Sequence, residues 1–175
     1  MKYLNACALV ISLATVAACS SNSPDAPSGN ANATHTFTAT LRPSEEVPPV
    51  TGTESAGGGT VTITLAAMND SSGNITSATA AFAVNLTGFP AGTPINIAHI
   101  HQAAAGQSGN VVVSTAVNPG EVNLTNGSGS FNRNGIAVPP EIASQLLSNP
   151  AGFYFNVHST LNPGGVARGQ LVRVQ

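Results

Sequence analysis

From His35 onward one pattern recurs: short runs in which every second residue is apolar, separated by clusters of Gly, Pro, Asn and Ser. Phe37, Ala39 and Leu41 alternate with threonines, as do Val61, Ile63 and Leu65. A period of two puts the apolar side chains on one face of an extended strand, so such runs are stable only where a second apolar layer covers that face. Turn formers at 69–74 join the second run to a third at 75–86, which predicts a hairpin. Further strands are expected at 95–101, 111–113, 121–124, 153–158 and 169–174, with an irregular stretch after Phe131. One segment departs from the alternation. Pro139 and Pro140 precede Ile142 and Leu146, and Asn149-Pro150 follows, which predicts a short helix near 140–148. About eight short strands and one helix imply an all-β fold, an antiparallel Greek-key sandwich or flattened barrel.

The N-terminus is set apart from this domain. Lys2 followed by an apolar run at 4–18 has the layout of a secretory signal peptide, expected to occupy residues 1–18. Ala17 and Ala18 directly before Cys19 resemble the bacterial lipobox, which implies lipidation at Cys19; an ordinary signal peptide cut elsewhere, or an uncleaved anchor, is the competing reading. Ser20, where inner-membrane retention favours Asp, points by resemblance to the outer membrane of a bacterial cell envelope. Residues 19–34 are rich in Ser, Asn and Pro without periodicity and read as a tether, leaving 35–175 as one β domain. Cys7 lies in the expected signal peptide, so the exported chain has no internal disulfide and must be held by packing.

Composition removes some partners. Charged residues are 7% of the chain and the formal net charge is −2, so no basic stripe is available to neutralise phosphates, and nucleic acid is not an expected partner. No apolar run after the signal approaches the roughly 20 residues needed to span a bilayer. Lipid on Cys19 is then the expected membrane attachment.

Chemistry concentrates in the histidines. His99 and His101 are two apart in a β-type run, so both imidazoles leave the same face of one strand. His158 ends a similar run, and three convergent imidazoles would suit copper, with zinc the alternative. The competing reading makes His99 and His101 plain strand residues in a metal-free surface module that binds an extracellular protein or polymer. His35 reads as an exposed residue at a strand start, with a fourth-ligand role as the alternative. Glu45 and Glu46 read either as the solvated lip of a Pro-rich loop or as a metal ligand or a partner that orients an imidazole, Glu46 being the candidate for the latter. Arg168 is expected to pair with a carboxylate or with backbone carbonyls and to fix the loop at 163–165.

Ala98-His99-Ile100-His101, Asn156-Val157-His158-Ser159, the run from Asn162-Pro163-Gly164-Gly165 through Arg168-Gly169-Gln170-Leu171, and Glu45-Glu46-Val47-Pro48-Pro49-Val50 together closely resemble the CHRD (chordin) domain family over about 36–172. That resemblance implies no general activity. The order of His-x-His, Val-His and Gly-x-x-Arg-Gly also resembles, more weakly, copper/zinc superoxide dismutase. It implies copper ligation by His99, His101 and His158 and a substrate-guiding role for Arg168. The chain departs from that second family in having no His/Asp cluster after Gln102 to hold zinc and no structural disulfide.

Overall fold

The structure, a computed structural model, describes residues 32–174; the expected signal peptide, Cys19 and most of the tether lie outside the described residues. The alternating runs form two antiparallel sheets packed face to face. The first sheet has the order β10-β1-β2-β3-β7, where β1 is Asn32–Leu41, β2 Gly58–Asn69, β3 Ile75–Thr87, β7 Gly129–Val138 and β10 Val172–Arg173. The second has the order β5-β4-β8-β9, where β4 is Thr93–Gln102, β5 Asn110–Ser114, β8 Phe153–Ser159 and β9 Ala167–Gln170; β6 (Val122–Leu124) also pairs with β4. The sheets do not close into a barrel. Among the described residues an isolated bridge, Arg42 with Arg168, joins them at one corner.

In the first sheet, the core lies where the sequence periodicity puts it. Phe37, Leu41, Val61, Ile63, Leu65, Phe82, Val84 and Leu86 from the first sheet meet Ile95, Ala98, Ile100, Phe155 and Val157 from the second, all buried. Phe82 and Phe155 pack across the interface with ring centres 5.9 Å apart and planes tilted by 33°. Burial of this apolar area is the main stabilising term in a domain without a disulfide. The helix α1 occupies Pro140–Ser148 as expected, burying Ala143 and Leu146. Among the described residues, no helix is long and apolar enough to cross a membrane.

Three elements differ from expectation. β1 begins at Asn32, paired with Met68, three residues before its alternation starts, because the long β2 offers backbone partners beyond the apolar run. The stretch after Phe131 is regular: β7 pairs with β3, and its polar Asn132 and Asn134 with a bulge at Gly135 (φ 67°) hide the strand from a periodicity count. The closing strand is two strands, since Leu171 turns into the core at 1% exposure and the chain passes there from β9 in the second sheet to β10 in the first.

Candidate metal centre

The placement of His99 and His101 depends on a bulge. Ile95 of β4 pairs with Ser159 of β8, and Ile97 pairs with His158, so Asn96 is one extra residue on β4. Counted by twos from the buried Ile95, both histidines would point into the core. The extra residue reverses the phase: Ala98 and Ile100 face inward, and His99 and His101 face the outer side of the second sheet. On β8 the inward residues are Phe153, Phe155 and Val157, which leaves Tyr154, Asn156 and His158 on the same outer side. Every residue of β8 is nonetheless buried, because the loops at 43–50, 102–109 and 159–166 fold over this outer face.

Here the three histidines meet. One ring nitrogen from each of His99, His101 and His158 lies within 4.8 Å of the others. The His99 ring centre is 5.6 Å from that of His101 and 5.2 Å from that of His158, both edge-on. His101 Nδ1 stands 3.0 Å from the Gly109 carbonyl and His158 Nδ1 2.9 Å from the Pro163 carbonyl. A carbonyl only accepts, so each Nδ1 carries the proton and each Nε2 keeps its lone pair. Those two Nε2 atoms and His99 Nδ1 are buried without a hydrogen-bond partner. Buried polar atoms are rarely left so, and unpartnered ring nitrogens on three histidines brought this close form a set of donors suited to a small cation.

Electrostatics keeps the donors neutral. Burial, and then the nearby His158 and His101, push the His99 pKa down to about 4. Burial also lowers His101 and His158, against the opposing effect of their bonds to Gly109 and Pro163. Tyr154 supports the centre, its ring parallel to His101 at 4.8 Å and its hydroxyl accepting the Gly109 N–H at 3.4 Å.

Arg168 is buried at 3% exposure. Its Nε donates to the Glu45 carbonyl, Nη1 donates to the Gln107 carbonyl at 2.9 Å, and its guanidinium lies 4.6 Å from the Tyr154 ring centre. It thus pairs with carbonyls as expected, but the loops it fixes are those at 43–50 and 102–109, not the one at 163–165. Glu45 is exposed, whereas Glu46 is not the solvated lip of its loop: it is buried, and its Oε2 accepts from Asn156 Nδ2 at 3.4 Å. A Cβ at Gly165 (φ 138°) would fall 2.6 Å from Glu46 Oε2, so only glycine leaves this carboxyl its place. His35 lies apart on the first sheet, where its Nδ1 accepts from Arg173 Nη2 at 2.9 Å. Tyr154 and Asn156 were legible only as the alternate positions of the His158 run. Gly109 and Pro163 act through backbone carbonyls and leave no side-chain signal.

Glu46 and the histidines have opposite pH signatures. A histidine with a depressed folded pKa contributes stability that is complete above its unfolded value near 6.5 and is lost as pH falls toward about 4. Glu46, raised by burial to about 7, is favoured as the protonated acid, so its contribution is lost as pH rises from 4.5 to about 7. In metal-free protein, Glu46→Gln should therefore gain roughly 2–3 kcal/mol relative to the parent between pH 4.5 and 8. Urea unfolding at both pH values checks this, and an unchanged difference between the two proteins would contradict it.

A family model for the CHRD domain matches residues 37–171. The chain belongs to the CHRD domain family. No curated protein matches it significantly. All three histidines, Glu46 and Arg168 fall inside the matched CHRD region. Within this CHRD domain, the histidine triad is the one group of three or more His, Cys, Asp or Glu among the described residues that is arranged to hold a metal.

Proposed function

We propose that this CHRD domain binds one copper ion through His99 Nδ1, His101 Nε2 and His158 Nε2, in a protein attached to the bacterial envelope by lipid on Cys19. The observation that carries the metal reading is the convergence of three buried, unpartnered ring nitrogens, two of them oriented by carbonyls on the far side of the ring. Copper is favoured over zinc because the donors are all imidazole and because divalent copper binds such sites more tightly than its neighbours in the first transition row. Copper held by these three residues would supply a one-electron centre. The chain's own residues keep the imidazoles neutral, fix the tautomers of His101 and His158 and shield the rings from water. The envelope location is supported by the N-terminal sequence pattern, with Ser20 favouring the outer membrane.

Equilibrium dialysis of the exported chain against copper, with zinc as competitor, tests this reading. One copper per chain, not displaced by equimolar zinc, is expected. No copper above background would refute the metal site and favour a metal-free binding module.

A further inference from the structure

We infer that Glu54, in the loop between β1 and β2, is a positioning residue for the metal centre, acting through the loop that orients His158; this rests on the three-histidine reading. Glu54 is 3% exposed. Its Oε2 accepts from Ser159 Oγ at 2.6 Å and from Asn162 Nδ2 at 2.5 Å. Ser159 Oγ in turn accepts the Asn162 N–H at 2.9 Å, and Gly165 N–H donates to the Asn162 carbonyl at 3.1 Å. The far end of the loop is held by Val166 N–H on the Val157 carbonyl at 2.8 Å. One carboxyl oxygen therefore gathers the loop at its start, and within the same loop the Pro163 carbonyl accepts from His158 Nδ1 at 2.9 Å.

The same β1–β2 loop brings two buried carboxyl groups over β8, Glu46 at Asn156 and Glu54 at Ser159, with His158 between these contacts. The two donors that hold Glu54, Ser159 Oγ and Asn162 Nδ2, are neutral. A buried carboxyl without a cation costs stability, and an uncharged side chain would fill the position with a smaller penalty. What the carboxyl group provides is acceptor capacity for two hydrogen bonds on a single oxygen, in a loop whose next backbone tie to β8 is at Val166. A displaced Pro163 carbonyl would free His158 Nδ1 and let the ring change tautomer or rotate, taking Nε2 out of the triad.

The test is copper affinity, by competition with a chromophoric chelator, in Glu54→Ala, Glu54→Gln, His158→Ala and the Glu54→Ala/His158→Ala pair, with the copper electron paramagnetic resonance spectrum of each. Glu54→Ala is expected to lose about 10- to 100-fold in affinity with a changed spectrum, and Glu54→Gln, which keeps an acceptor oxygen, to restore most of it. In the His158→Ala background, Glu54→Ala should have no further effect on affinity. If Glu54→Ala does not fold, Asn162→Ala removes one of the two bonds and should shift affinity and spectrum in the same direction. A folded Glu54→Ala, or Asn162→Ala in its stead, with parental affinity and spectrum overturns the inference, as does an equal loss with and without His158. Parental affinity in His158→Ala would overturn the three-histidine reading itself, and the inference with it.

Discussion

Replacing His99 and His101 together by alanine is expected to lower copper affinity by at least about a thousandfold while leaving the fold intact. Both donors come from one strand, so their loss leaves only His158, and a single imidazole does not make a tight site. The fold should survive because the two side chains leave the outer face of β4, while the inward Ala98 and Ile100 continue to fill the core. Truncation costs packing against neighbouring rings, but it also removes buried ring nitrogens that lack partners in the metal-free protein. These terms oppose each other, and the net change in metal-free stability should stay within about 1–2 kcal/mol. Chelator competition and urea unfolding on the same preparation check both halves. Retained affinity in a folded variant would contradict the assignment.

The second large effect is expected at Arg168. Its guanidinium donates to carbonyls of two separate loops and packs on Tyr154, while its backbone exchanges hydrogen bonds with Arg42 at 2.9 and 3.3 Å. Arg168→Lys keeps the charge but not the fork, so one ammonium cannot reach both loops from the same position. We expect Arg168→Lys to cost roughly 2 kcal/mol and Arg168→Ala roughly 3–4 kcal/mol in urea unfolding, with weaker copper binding because the 102–109 loop carries the Gly109 carbonyl that orients His101. A cation that serves to guide an anionic substrate would behave otherwise. Lysine would then preserve stability and retain most of the function, and an unfolding midpoint equal to that of the parent would show that the clasp is not what Arg168 provides.

The parts of this domain that could be read in the sequence are those marked by local punctuation. The 69–74 turn carries its own hydrogen-bonding residues, with Asp70 accepting from Ser72 and Asn74 backbone N–H groups, and the helix is bounded by prolines on both sides. The pairing of His99 with His101 on one face also followed from spacing alone. Whether that face looked inward or outward did not, because it turns on the single extra residue at Asn96, and a bulge has no signature in an alternation. The break of the last strand at Leu171 was hidden for a similar reason: an apolar residue in register reads as continuation, whether the strand goes on or changes sheet. Glu46 and Glu54 were the least legible. Each sits among prolines, glycines or hydroxyl residues that suggest a solvated loop, and only the folding of that loop over β8 buries them. The tertiary cover over the outer face also turned the polar side of β8 into the wall of a site.

The central claim is most directly tested by copper-edge X-ray absorption on the one-to-one complex. Three imidazole nitrogens at about 2.0 Å, with the characteristic ring multiple scattering of each, are the expected result. A spectrum fitted by one imidazole or none, with the remaining scatterers water-like oxygens, would contradict a centre built from His99, His101 and His158.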